Sequence, residues 1–212
     1  MTSAHPAQPI RLYRYRLSGH CHRVELMLSL LGLPYTPIEI DLRAGEQKLP
    51  GFLQMNRFGQ VPVIDDNGVL LADSNAILVY LATRYAPGKW LPADPLGAAQ
   101  VQRWLSVAAG PLAAGPAAAR VANLFGAKLD TEALIARSHA LFSVIEAELD
   151  GRDYLVGQNA TLADIACYSY IAHAPEGNVS LADYPKLRAW LQRIARLPGY
   201  VPMAASAVGL AA

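Results

Sequence analysis

Between Ala86 and Pro95 the chain reads Ala-Pro-Gly-Lys-Trp-Leu-Pro-Ala-Asp-Pro, and the apolar rhythm differs on the two sides of it. Three prolines and a glycine in ten residues interrupt both helix and sheet, so the stretch reads as a linker. Before it, segments of period two alternate with segments of helical period. After it no period-two pattern remains and the sequence is rich in Ala and Leu. A length of 212 residues admits one large domain or two small ones. The division favours two: a mixed α/β domain over residues 9–86, a linker over 87–94, and an all-helical domain over 95–212.

In the first half, residues 10–15 begin with alternating apolar and polar side chains, as a half-buried strand does. Ser18 then precedes a helical pattern that puts Val24, Met27, Leu28 and Leu31 on one face. Gly32 and Pro34 end that helix. Ile38, Ile40 and Leu42 return to period two and predict a second strand. A polar stretch follows, with a short helix around Pro50 to Gln54. Val61-Pro62-Val63-Ile64 and Val69-Leu70-Leu71 then flank Asn67-Gly68, a strong hairpin signal. Asp73 and Ser74 offer N-cap chemistry to a helix with Ile77, Leu78, Leu81 and Tyr85 inward. The order β-α-β, connection, β-β-α is that of a thioredoxin-like domain.

In the second half, breaks are expected near Gly110-Pro111, Gly115-Pro116, Asp150-Gly151, Pro175-Glu176-Gly177 and Pro198-Gly199. Thr161-Leu162-Ala163-Asp164 reads as a capping box opening the apolar run to Ile171. Pro185 suits the first position of a final helix.

The chain is 53% hydrophobic and 17% charged, enough apolar material for a sizeable core. A net charge of +1 without any Lys/Arg run argues against a nucleic-acid partner. Its apolar stretches fall short of the roughly 18 residues a membrane span needs; the best candidate, 24–33, is interrupted by Glu25 and Ser29. Residues 1–9 read as a polar leader and lack the pattern of a signal peptide. Two unclustered cysteines, Cys21 and Cys167, suit a reducing cytoplasm better than a disulfide framework.

Three places carry chemistry. Ser18-Gly19-His20-Cys21 stands where a strand hands over to a helix, and a helix N-terminus offers unpaired N–H groups and partial positive charge that stabilise anions, thiolates included. The Ser18 hydroxyl can donate to a thiolate brought by a ligand, or simply cap the helix. Pro62 at the head of a strand cannot donate to a ladder; if its bond is cis, the Val61 N–H and C=O are left to pair with an extended peptide, and if trans the segment is an ordinary loop. Asp73 and Ser74 suit, respectively, an ammonium and a carboxylate at one end of a peptide, or plain N-capping.

Taken jointly, the stretches LSGHCHRVELMLSLLGLPY, GEQKLPGFLQMNRFGQVPVI and LLADSNAILVYLATRY, with DPLGAAQVQRWLSVA and YLVGQNATLADIACYSYI in the helical half, resemble the glutathione transferase superfamily over nearly the whole chain. The resemblance implies roles. Ser18 corresponds to the serine that activates the glutathione sulfur, and Val61, beside a cis Pro62 and after Gln60, to the residue that pairs with the cysteinyl backbone. Asp73 and Ser74 correspond to the γ-glutamyl site, and Lys48 with Gln47 to the glycine-carboxylate site. Relatives reading Ser-Gly-Asn have Asn where this chain has His20, which becomes a candidate neighbour of the sulfur. Tyr15 is a rival to Ser18, since a tyrosine serves in some classes. Trp104 and Ala108 share a helix face and either wall the second-substrate pocket or fill core. Glutathione is implied as co-substrate, with a small hydrophobic electrophile, a two-fold homodimer and a detoxifying role in the cytoplasm.

His20-Cys21-His22 has the composition of a metal triplet, but residues two apart on a helix point different ways and no distal cluster completes a site, so no metal is expected. Cys21 is either a redox thiol or a small inward-packing group. Cys167 and Met203 read as core, and Arg103 and Arg120 as surface or interface charges. Beside conjugation stand a glutathione-dependent thiol-disulfide oxidoreductase, peroxidase or isomerase on the same fold, and a non-catalytic binding protein.

Overall fold

The computed structural model describes residues 5–210, so the first four residues of the expected leader lie outside the described residues. Strand β1 (Ile10–Arg14), helix α1 (Gly19–Leu30), strand β2 (Tyr35–Glu39), helix α2 (Pro50–Met55), strands β3 (Val63–Asp66) and β4 (Val69–Ala72) and helix α3 (Ser74–Tyr85) follow in order. The sheet runs β2-β1-β3-β4. β1 and β2 are parallel, while β3 lies antiparallel to both β1 and β4. This is the thioredoxin-like arrangement that the element order predicts.

Local chemistry explains the punctuation. α1 ends in a Schellman motif: Gly32, at φ 64°, donates to the Ser29 carbonyl and Leu33 to the Leu28 carbonyl, each at 2.9 Å. Asn67 and Gly68 both have positive φ, as the two-residue turn between right-twisted strands requires. Ile10, Leu12, Val24, Met27, Leu28, Val63, Ile64, Ile77, Leu78 and Leu81 are all 0% exposed and form the core between sheet and helices. Leu31, expected on the inward face, is the half-buried C-cap of α1, and Leu33 packs inward beyond the turn.

The second strand begins and ends earlier than its apolar alternation predicts. Pairing with β1 runs from Ile10↔Tyr35 to Arg14↔Glu39, so β2 stops where β1 stops. Ile40 makes the last bond, to the Arg14 carbonyl at 2.8 Å, and the Asp41 carboxylate then accepts the Arg43 and Ala44 N–H groups to turn the chain.

The helical unit comprises α4 (Pro95–Ala109), α5 (Ala118–Phe125), α6 (Thr131–Glu148), α7 (Leu162–Ala172) and α8 (Pro185–Ala195). Leu162 through Ile171 are buried on every side, which marks α7 as the central helix of this unit. Its capping box forms: Thr161 accepts the Ala163 N–H at 3.3 Å, and the Asp164 carboxylate accepts the Thr161 N–H at 2.8 Å. Gly110-Pro111 ends α4 as expected. Gly115-Pro116 does not stop the chain's helical course; it is accommodated in a wider π turn, Ala113–Ala117, which tolerates the missing proline donor.

The chain divides into two compact units, Met1–Leu91 with Pro198–Ala204, and Pro92–Leu197 with Ala205–Ala212. Within the span 95–212 read as the helical half, the seven residues 198–204 cluster with the first unit. The His22 ring donates to the Val201 carbonyl at 2.9 Å, and Gly199, at φ 88°, approaches so closely that an added Cβ would meet the Ser29 oxygen at 2.8 Å. Met203 is buried, as expected.

Candidate functional site

A cleft of about 580 Å³ opens in the first unit. Ser18 and His20 line it from the start of α1, Gln60, Val61 and Pro62 from the approach to β3, and Asp73 and Ser74 from the start of α3. Gln47 adds an amide from the loop before α2. Eight of the positions singled out from sequence thus share one cavity. Lys48 is not among its lining; its exposed ammonium lies 3.5 Å from the Phe58 carbonyl at the loop above Gly59.

Ser18 is the N-cap of α1, its Oγ accepting the Cys21 N–H at 3.3 Å. That bond uses a lone pair on oxygen and leaves the hydroxyl proton to be donated elsewhere, so capping and donation are compatible. His20 is set behind it, with Nδ1 3.4 Å from Ser74 Oγ. Burial, and secondarily the charge of Arg23, lower the His20 pKa to about 3, so the imidazole is neutral in ordinary buffers. Cys21 turns inward beneath the loop, accepting the Tyr15 N–H at 3.4 Å. Burial pushes its thiol up to about 12, against weaker opposite pulls from Ser18 and the Tyr15 N–H, and a protonated buried thiol is a poor nucleophile.

The Val61–Pro62 bond is cis, and Val61 stands two residues before β3, outside the paired ladder. Asp73 caps α3 by accepting the Ala76 N–H at 2.9 Å and holds φ at 71°, a left-handed value that costs a residue with a Cβ about 1–3 kcal/mol. Ser74 is buried beside it. One wall of the cleft thus offers a hydroxyl donor at a helix start, the next the Val61 backbone outside the strand ladder, and the third a helix N-terminus with a carboxylate and a second hydroxyl. Such a row fits a short peptide carrying a thiol in its middle and a zwitterionic end.

Tyr15 is not in the cleft lining; its carbonyl accepts the Ser18 N–H at 2.8 Å, which shapes the loop. Trp104 and Ala108 are 2% and 0% exposed on α4, core positions of the helical unit. Trp104 also borders a smaller cleft of about 240 Å³ in that unit, beneath the Arg103 guanidinium. Arg120, expected as a surface or interface charge, is buried within the helical unit and paired with Glu176 at 2.7 Å. Burial pushes the Glu176 carboxyl up, but Ser206, His173 and Arg120 outweigh that and hold it below its usual value. Cys167 is core. Among the described residues no group of three His, Cys, Asp or Glu is placed to hold a metal ion.

Five further cleft residues, Leu42, Asn56, Phe58, Gly59 and Ala72, were missed in the sequence, and two of them matter most. Asn56, 8% exposed, accepts the Phe58 N–H at 3.1 Å and donates to the Gln60 carbonyl at 2.8 Å, holding the loop that delivers Val61. Asn two residues before an N–H it accepts is an Asx turn, a signal present in Asn-Arg-Phe-Gly. Phe58 is 81% exposed, and nothing in its local pattern announces that.

The signature described as "Glutathione S-transferase, N-terminal domain" matches residues 8–83, and "Glutathione S-transferase, C-terminal domain" matches residues 113–198. The chain belongs to the glutathione S-transferase family. It is 33% identical over 205 residues to Glutathione S-transferase 3 of Zea mays, covering 91% of each chain. It is 29% identical over 189 residues to the Disulfide-bond oxidoreductase YfcG of Escherichia coli, covering 84% of this chain and 86% of that one. Among solved structures, a glutathione S-transferase from Pseudomonas fluorescens superposes with a TM-score of 0.88 at 34% identity, covering 93% of this chain and all of that one. A glutathione transferase homologue from Drosophila mojavensis, solved with bound glutathione, superposes at 0.82 with 28% identity, covering 90% and 89%.

Proposed function

We propose that this protein is a glutathione transferase that binds the tripeptide in the cleft of its first unit, holds the thiol as thiolate and conjugates it to a small apolar electrophile. The observation that carries the reading is the gathering of Ser18, Val61, Asp73 and Ser74 around one cleft, in the order sulfur, backbone and γ-glutamyl group of the tripeptide require. Gln47 meets the glycine carboxylate in this reading, with Lys48 at the rim. Trp104 and Ala108 belong to the second-substrate wall as supporting core, and Tyr15 shapes the sulfur loop without lining the cleft.

The energetics are sufficient. Lowering a thiol pKa from ~8.5 by about two units needs about 2.7 kcal/mol of differential stabilisation. A hydroxyl donating to an anion contributes about 1.5–3 kcal/mol, and the start of α1 about 0.3–1 kcal/mol. The thiolate then attacks the electrophilic carbon, which takes the sulfur as its leaving group departs with the bonding pair. Titration of reduced glutathione into the protein by calorimetry should show saturable binding, and an activated aryl chloride should be conjugated. Absence of binding overturns the reading and favours a protein that only keeps the fold.

A second reading is a glutathione-dependent disulfide reductase, favoured by the similarity to the Escherichia coli oxidoreductase. Cys21, protonated and buried, does not suit that chemistry, so the electrons would come from glutathione alone. Cys21→Ser should leave any reductase activity intact.

Two buried free thiols suit a reducing cytoplasm, where a detoxifying role would be exercised. We assign a two-fold homodimer, first unit of one subunit against the helical unit of the other. An 81%-exposed Phe58 supplies an anchor for such contact. Light scattering should give twice the chain mass, and Phe58→Ser should weaken association by at least about tenfold. A wild-type monomer at micromolar concentration would refute the assembly.

A further inference from the structure

Arg23 is 0% exposed on α1, one turn and a half beyond Ser18. Its Nη1 donates to Asn75 Oδ1 at 2.9 Å and to Ser74 Oγ at 3.4 Å. Ser74 in turn lines the cleft and lies 3.4 Å from His20 Nδ1. A guanidinium therefore stands one hydroxyl behind the wall of the site. Removing such a charge from water costs several kcal/mol, which an apolar side chain of similar volume would not.

His20 lies within reach of that charge. Burial and the Arg23 charge disfavour the imidazolium form. Ser74 Oγ lies 3.4 Å from the ring, the Arg23 charge acts on it, and Ser18 and Asp73 line the same cleft. Burial disfavours a charge of either sign, but the Arg23 contribution has a sign of its own: it opposes a cation in the cleft wall and favours an anion there, and in a low-dielectric wall it is weakly screened.

We propose that Arg23 is a positioning residue of the cleft, fixing the start of α3 through Ser74 and Asn75 and supplying the buried positive charge that draws in the ligand's α-carboxylate and lowers the pKa of its thiol. This rests on the glutathione reading above. The guanidinium never touches the ligand; it acts through the Ser74 hydroxyl and through space. Two consequences separate it from a merely structural side chain. The thiol pKa of the bound ligand should depend on the charge at position 23, and a lysine there should restore that pKa even where it fails to restore the hydrogen bonds.

The test compares wild type, Arg23→Gln and Arg23→Lys, each with reduced glutathione. Calorimetry gives Kd, the ultraviolet absorbance of the thiolate followed against pH gives the bound thiol pKa, and NMR of the imidazole gives the His20 pKa without ligand. Arg23→Gln should raise Kd about tenfold and the bound thiol pKa by about one unit, and should let the His20 pKa rise. Arg23→Lys should keep the thiol pKa near wild type while Kd rises less. Equal thiol pKa values in wild type and Arg23→Gln, or equal rises in both variants, overturn the proposal while leaving glutathione binding intact. Failure of wild type to bind glutathione overturns the functional reading, and this proposal with it.

Discussion

With Ser18 replaced by Ala, conjugation at pH 6.5 falls between about fivefold and fiftyfold, and the deficit shrinks with rising pH until it closes past ~8.5. The size follows from the lost hydrogen bond: about 1.5–3 kcal/mol of thiolate stabilisation is one to two pKa units, and below its pKa each unit removes nine-tenths of the reactive form. The deficit shrinks because free thiol ionises unaided at higher pH, where the variant and the wild type hold equal amounts of thiolate. The substitution also removes the N-cap of α1, whose Oγ accepts the Cys21 N–H, so the variant should unfold about 1 kcal/mol more easily. That loss is independent of pH in this range and is separated by a melting curve. A pH–rate profile parallel to wild type would move the sulfur contact to His20, to Tyr15 or to backbone N–H groups at the helix start.

The largest stability effect is expected at Asp164. Its fully buried carboxylate accepts the Leu155 and Thr161 N–H groups at 2.9 and 2.8 Å, the Thr161 hydroxyl at 3.1 Å and the Trp190 indole N–H at 2.9 Å. It therefore ties together the loop before α7, the α7 N-terminus and the core of α8. Burial pushes this carboxyl above its ordinary value even though all four donors pull the other way, a measure of how dry the site is. Asp164→Ala leaves four buried donors without an acceptor, each costing about 1–3 kcal/mol, so a loss of at least about 4 kcal/mol is expected. For a chain of this length that is a fall in Tm of roughly 10 °C or more. Asp164→Asn keeps one acceptor oxygen and presents an amide to donors on the other side, so it should lie between. Circular dichroism melts order the three proteins, and an alanine variant within 1 kcal/mol of wild type would show that water replaces the carboxylate.

What could be read along the chain was local. Asn67-Gly68, Gly32 before Pro34, Thr161 with Asp164 and Pro185 each act within a few residues of themselves, so their chemistry shows in the order of the letters. The gathering of Ser18, Val61 and Asp73 came from a joint pattern spread over 56 positions (18 to 73), which a single motif would not have specified. What was missed depends on partners far along the chain. β2 is bounded by the length of β1, and no alternation within β2 records that. Arg120 looks like any surface arginine until Glu176, 56 residues on, meets it in the core. Arg23 is legible as a charge on an otherwise apolar helix face, but Ser74 and Asn75 give it its meaning.

The return of Pro198–Ala204 to the first unit affects how the protein is born. Synthesis proceeds from the amino end, so the sheet and the cleft-bearing helices leave the ribosome while the acceptor for His22 is still more than a hundred codons from being translated. Until Gly199 and Val201 arrive, the underside of α1 lacks the close approach at Ser29 and the Val201 carbonyl at His22. The unit that carries the cleft is thus the first to be made, yet seven of its own residues arrive only within the last fifteen of the chain.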